Sequence, residues 1–428
     1  MEVRPPPAPE KVVGMDSFFT DIPGLGGRIK VEPEDFVVDE IPVFPLPRDG
    51  KYIIARVKTK NWETNALLKR MAARLRIPVS LIGFAGMKDK RAVTSQLMSF
   101  QCAMNDVRDM KLPDVEVEIL YKSNYPVFRG NLKGNRFSIL IRDVEGDEET
   151  VKEICRIIEA TGGFPNFFGV QRFGVIRPIT HLVGKYIVLG DMKKAVMTYT
   201  ANPIRGEDEN SYNARKFLEG TMDFSEALKV YPEKLIFERQ MMFHLSEREG
   251  DWTGALQKLP KNLSIMFIHA YQSYLFNRML SMRLRQGIPL NKVVEGDIVI
   301  TFKDGEVQSR SGMTARKSNL DKINRQIEKG NCFPSGVIAG HDTMLADGLM
   351  GEIERRVLEE EGVEPEKFII PELPSLSSKG IRRILISPVG RIRQEMKDRT
   401  LRLSFSLPKG CYATCLLREF MKADIKNY

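Results

Sequence analysis

LRLSFSLPKGCYATCLLREFMK, residues 401–422, is the stretch on which the layout of the chain turns. Leu401, Leu403, Phe405 and Leu407 alternate with Arg402, Ser404 and Ser406, the period-two pattern of a strand with one buried face. Pro408 and Gly410 turn the chain, and a last helix is expected from about 412 to 422. The same texture fills the first 184 residues. Val115, Val117, Ile119 and Tyr121 alternate with polar residues, apart from Leu120, and Phe137, Ile139 and Ile141 share one face. Further strands are expected around Phe36 and Val38, from Tyr52 to Val57, and near Leu97 to Cys102. Two amphipathic helices interrupt them. One carries Leu68, Met71, Ala72 and Leu75 at i, i+3, i+4 and i+7, with Asn61 as cap and Pro78 as stop. The other starts near residue 148, aligns Val151, Ile154, Cys155 and Ile158, and stops at Gly162-Gly163.

From about residue 185 helical patterns take over and run to about 285. Leu263 to Leu284 is apolar almost all round, as expected of a buried helix. A mixed stretch follows, with turn signals at Asp304-Gly305 and Asp347-Gly348. A chain of 428 residues exceeds one ordinary core. Strand texture at both ends around a helical middle predicts an α+β fold: a mixed, mostly antiparallel sheet domain built from both chain ends, with a largely helical insertion. The expected boundaries are a flexible tail at 1–15, marked by prolines 5, 6, 7 and 9, a first sheet segment at 16–184, the insertion at 185–390 and a closing segment at 391–428.

Lys plus Arg number 65 and Asp plus Glu 56, a net charge of +9. That balance favours polyanionic partners, because basic side chains displace counterions from phosphates. The five cysteines and four histidines are scattered, so neither a disulfide framework nor a metal site is expected. No stretch approaches the roughly 20 apolar residues of a membrane helix, and the first residues lack a signal-peptide pattern. A cytoplasmic protein without membrane attachment is expected. Walker, GxGxxG and GxSxG motifs are absent, which argues against nucleotide cofactors and serine-hydrolase chemistry.

Three stretches combine glycine, aromatic and charged residues in ways a plain core does not need. In GFAGMKDKRAVTSQ (83–96), Gly83 and Gly86 permit close backbone approach. Lys88, Lys90 and Arg91 surround Asp89 with positive charge, which favours a charged carboxylate able to act as nucleophile or base. The bland alternative is a solvated turn. In PNFFGVQRFG (165–174), Asn166, Phe167, Phe168, Gln171, Arg172 and Phe173 mix ring faces with amide and guanidinium donors, as an extruded base requires. The alternative is an aromatic corner packing a helix end onto the sheet. In LPKGCYATCLLRE (407–419), a strand feeding a helix could present Tyr412 to a ligand, or simply pack as a C-terminal hairpin and helix.

Together these stretches resemble the TruD family of pseudouridine synthases. KVEPEDFVVDE from Lys30 is similar to the family's N-terminal pattern, and IHAYQSYLFNRML (268–280) to its long helix in the inserted domain. Residues from about 185 to 262 run longer than in bacterial members. The resemblance implies a pseudouridine-synthase-like sheet domain and an inserted TRUD domain. It implies that Asp89 is the catalytic aspartate, Lys30 its basic partner, Phe36 a substrate contact, and Asn166 and Phe168 an amide contact and an aromatic platform. Tyr412 stands where bacterial members usually have phenylalanine. A monomer acting on transfer RNA, at uridine 13, without cofactor or metal, is the corresponding expectation. Two other readings share these residues: a catalytically silent RNA-binding protein, and a metal-independent hydrolase acting on RNA.

Overall fold

A computed structural model describes residues 5–303, 306–307 and 312–428. Its main sheet has nine strands. From one edge inward and across, the order is Arg393–Lys397, Thr400–Pro408, Leu132–Val144, Phe36–Pro42, Val93–Phe100, Pro47–Lys60 and Val115–Ser123. Two short strands, Gly26–Arg28 and Ile82–Phe84, pair with Leu132–Val144 and Val93–Phe100. Every pairing is antiparallel except Phe36–Pro42 with Val93–Phe100. The sheet thus joins both chain ends, as the alternation at 401–407 suggested. Leu401 faces Ile141, Leu403 faces Ile139 and Phe405 faces Phe137. All four aliphatic side chains in these pairs are fully buried. The Phe137 and Phe405 rings stack at 5.3 Å. Burying each such side chain stabilises the fold by about 1.5–3 kcal/mol, and a one-residue slip would turn this set toward solvent.

A second, antiparallel sheet comprises Ile298–Lys303, Glu306–Val307, Met313–Thr314, Cys332–Ile338 and Ile381–Ile384. Against it lies the helix Lys261–Arg285, buried along most of its length as its composition predicted. Arg283 on this helix forms a bidentate pair with Asp297 at 2.7 and 2.8 Å, both side chains fully enclosed. A small third sheet, Gly163–Pro165 with Ile386–Pro388, brings the PNFFGVQRFG segment beside the end of the second sheet. The Asp304-Gly305 turn lies outside the described residues. Asp347 and Gly348 do turn the chain, with Gly348 at φ 53° leading into the helix Gly348–Glu360.

Two local expectations change. The cap of the helix Thr64–Leu75 is Glu63, whose carboxylate accepts from the Asn65 and Ala66 N–H groups. Asn61 instead adopts φ 59° and donates its N–H to Ala92 O, ending the preceding strand. The expected tail also differs. From Pro5 onward the chain is packed: Ala8–Val12 is a short helix, and Val13 and Met15 are buried. Glu10 is enclosed 2.7 Å from Arg418 of the last helix, Ala413–Met421. Prolines 5, 6, 7 and 9 therefore stiffen a docked segment, where their fixed φ costs little ordering entropy.

Replacing Glu10 with Ala is expected to lower stability by about 3 kcal/mol, since a buried guanidinium loses one of its two carboxylates. A urea denaturation midpoint measures this. A change below about 0.5 kcal/mol, the size of an ordinary surface substitution, would show a loose tail.

Candidate active site

The loop carrying Asp89 leaves the main sheet at a fork. Parallel pairing of Phe36–Pro42 with Val93–Phe100 ends at Asp39 and Ser95. From Met98 onward the same edge is taken by Ile82–Phe84. Between them Leu97 has no strand partner on that side, and the Glu40 carboxylate accepts its N–H at 3.2 Å. The other Glu40 oxygen receives Lys88 Nζ at 2.6 Å, with side-chain exposures of 1% and 5%. Lys88 also donates to Asn135 Oδ1, and its backbone N–H to Thr64 Oγ1 at the start of a helix. Lys88 is thus an internal anchor and not a solvated flank of Asp89. Arg91 closes the other side of the loop, donating to Val31 O at 2.5 Å.

Held between these anchors, Asp89 remains 51% exposed. Its Oδ1 lies 2.9 Å from Lys30 Nζ, a pair separated by 59 residues in sequence. Lys30 is itself 17% exposed and adopts the left-handed backbone region at φ 57°, which a non-glycine residue occupies only under surrounding constraint. Phe36 departs from a simple substrate contact. It is buried, with the Lys30 ammonium 4.4 Å above its ring and Phe137 edge-on at 6.2 Å. Asp35 locks the segment through a bidentate pair with Arg142 and an accepted Glu32 N–H. Burial alone would raise the Asp35 carboxyl pKa, but the hydrogen bonds from Arg142 and Glu32 outweigh it and hold the group below its ordinary range.

A second group forms around Phe168. Its backbone N–H and C=O are both gripped by the amide of Asn277, which also donates to Val13 O. The Phe168 ring meets Phe276 edge-on at 5.7 Å and Tyr412 at 6.2 Å, and the Arg383 guanidinium covers it at 4.2 Å. Tyr412 precedes the last helix at its N-cap position, and burial pushes its phenol pKa up. Asn166 is brought here too, but its amide is committed. It donates to Ile384 O and accepts from Arg383 and Ser387. Asn166 and Phe168 line a cavity of about 740 Å³ whose other walls include Arg172, His269, Gln272, Phe302 and Arg383.

Asp89 is not part of that cavity wall. The two groups are joined through the sheet. Lys88 reaches Asn135, Asn135 pairs with Leu407, and Leu407 leads through Gly410 to Tyr412. Three contributors escaped the sequence reading: Glu40, Arg383 and Asn277. Glu40 ends the quoted KVEPEDFVVDE pattern, and Arg383 is one of two adjacent arginines in the short strand Ile381–Ile384. Nothing local distinguishes Asn277 from the rest of its helix. Among the described residues no cluster of His, Cys, Asp and Glu could hold a metal ion, and no helix is long and apolar enough to cross a membrane.

Comparison with known proteins bears on this geometry. The family model described as tRNA pseudouridine synthase D (TruD) matches residues 12–420. A probable tRNA pseudouridine synthase D from Methanococcoides burtonii is 41% identical over 430 residues, covering 98% of each chain. One from Pyrococcus furiosus is 40% identical, covering 96% of this chain and 99% of its own. The crystal structure of a TruD protein from Methanosarcina mazei superimposes with a TM-score of 0.90 at 40% identity, covering both chains completely. With a match across nearly its whole length and fold, the chain belongs to the tRNA pseudouridine synthase D (TruD) family.

Proposed function

We propose that this chain converts a uridine of transfer RNA, at position 13, to pseudouridine, with Asp89 as the essential carboxylate. The observation that carries the proposal is the exposed Asp89 carboxylate, 2.9 Å from Lys30 Nζ, on a loop fixed by a buried ion pair. Such a carboxylate can approach a substrate without reorganising its support, which is how positioning lowers a barrier.

The reaction breaks the N1–C1′ bond, turns the uracil and joins C5 to C1′. The proton on C5 is lost and one is gained at N1, so mass and oxidation state are unchanged and no redox or phosphoryl donor is required. Asp89 serves either by attacking C1′ or by removing a ribose proton. Both roles need an accessible, oriented carboxylate, and Lys30 supplies the orientation. The detached base must be kept from water and from diffusing away. Phe168 offers a ring whose backbone is clamped on both sides, and Tyr412 adds a second ring at its edge. Phe36 then acts from below, holding Lys30 through its ring face, and Asn166 acts through its hold on Arg383. Extruding the target from its stack costs a few kcal/mol, which contacts elsewhere on the RNA offset.

Asp89→Asn is expected to abolish pseudouridine formation while leaving tRNA affinity within about threefold, since one exposed carboxylate contributes little to binding. Pseudouridine mapping on a tRNA transcript measures the first and filter binding the second. Full activity in the variant would remove Asp89 from the chemistry, and a cleaved RNA or free uracil would indicate a hydrolase.

Phe168→Leu is expected to lower turnover by roughly 10²-fold, as misplacement of a reacting group does, with a much smaller loss of RNA affinity. Equal losses in both would reduce Phe168 to a packing residue.

A further inference from the structure

The buried arginines of this chain each pair with a carboxylate, whereas a half-buried arginine beside the site does not. Arg215 pairs with Glu207 and Glu238, Arg283 with Asp297, Arg382 with Glu354, and Arg418 with Glu10 and Glu419. Arg383, adjacent to Arg382 in the same strand, has no carboxylate partner among the described residues. It donates only to neutral oxygens: Asn166 O at 3.2 Å, Asn166 Oδ1 at 2.5 Å and Gly410 O at 2.9 Å. Arg172, on the wall of the same cavity, is also without an ion pair, and its Nε is buried with no hydrogen-bond partner. Among the described residues the single carboxylate on that wall, Glu306, is taken by Lys409.

Among the described residues, then, Arg172 and Arg383 line one cavity and neither has a carboxylate partner. Burial lowers the Arg383 pKa, with Cys411, Tyr412 and Cys415 opposing and Arg172 adding a smaller push the same way, and burial followed by Arg172 pushes the His269 imidazole down. A charge withdrawn from water without a counterion is costly, and the fully enclosed arginines show that this fold supplies one where burial is complete. The planar, multidonor guanidinium is the side chain best matched to phosphate oxygens. Arg383 cannot simply swing away, because its contacts with Asn166, Gly410 and the Phe168 ring fix it.

We propose that Arg172 and Arg383 form a phosphodiester-binding site in this cavity, gripping the RNA backbone beside the nucleotide that rests on Phe168. The proposal builds on the reading of the chain as an RNA-modifying enzyme. It assigns Arg172 a direct contact and Arg383 both a contact and the support of the platform. Flipping a nucleotide exposes its flanking phosphates, and two fixed cations at that point would hold the strand open.

The test is the salt dependence of tRNA binding by the full chain, measured without turnover. Each phosphate contact contributes about 0.7–0.9 to the slope of log affinity against log salt. Arg172→Met is expected to weaken tRNA binding about tenfold near 0.1 M salt and to make the slope shallower by about one contact, whereas Arg172→Lys keeps the slope. A short RNA with one neutral methylphosphonate beside the target uridine should bind the wild type as weakly as the unmodified RNA binds Arg172→Met, with no further loss in the variant. Arg383→Met is expected to add a second loss of slope; if it fails to fold, Arg172 and the methylphosphonate carry the test. A folded Arg172→Met protein with wild-type affinity and slope overturns the site. Normal pseudouridine formation with an unaltered slope defeats this proposal alone. A shallower slope in Arg172→Met, together with a wild type that forms no pseudouridine, defeats the catalytic reading and leaves the anion site standing.

Discussion

A buried ion pair at a fork in the main sheet holds the loop that carries Asp89, and much else follows from it. Lys88 and Glu40 meet at 2.6 Å with almost no solvent access. Their Coulomb attraction operates where water screens it least, yet both ions lose hydration, so such a pair persists only when its remaining hydrogen bonds are satisfied. Here they are. Glu40 accepts the Leu97 N–H that the divergence of two strands would leave unpaired, and Lys88 also reaches Asn135. One carboxylate thus repairs the sheet and anchors the loop. Asp89, the next residue, is left exposed on a support that cannot shift easily. The buried pair supplies geometry more than stability, which is the use to which enclosed charges are best suited.

The aromatic platform depends on a comparable device. Phe168 lies in a segment without regular pairing, where both its backbone groups would otherwise need water. Asn277, rooted in the long buried helix, serves both and ties the N-terminal segment to the same point. The helix Lys261–Arg285 is therefore more than filling for the insertion. It fixes the ring on one side, and its His269 and Gln272 line the adjoining cavity. The contact between this helix and the PNFFGVQRFG segment is thus what fixes the Phe168 ring.

Charge is distributed unevenly between these two groups. Around Asp89 and Lys30 opposite charges compensate each other in partial solvent, while beside Phe168 Arg172 and Arg383 have no carboxylate partner among the described residues. The excess of +9 is thus not only diffuse surface charge; part of it is concentrated in a concave wall beside the platform. A polyanionic substrate met by such a wall is drawn by long-range attraction and then oriented by short contacts.

Much of this was legible in the residues themselves. The alternation at 401–407 and 137–141 set the sheet composition from both ends, because strand periodicity is a local steric property of the backbone. The helices at 148–161 and 261–285 announced themselves through spacing and apolar content for the same reason. KDKR with Asp89, and the ring-rich PNFFGVQRFG, marked where chemistry would be sought. The meaning of individual side chains was decided elsewhere. Lys88 lies in what could be a solvated tip and is buried; Phe36, a substrate contact by resemblance, is buried against Lys30 and Phe137; Asn166, an amide contact by resemblance, bonds to Ile384, Arg383 and Ser387; a proline-rich start reads as a tail and is docked. Each of these outcomes depends on a partner tens to hundreds of residues away: Glu40, Phe137, Arg383, Arg418. Periodicity and composition act between neighbours along the chain, but burial and counterion pairing arise only when distant segments share a volume, and only the tertiary structure determines which do.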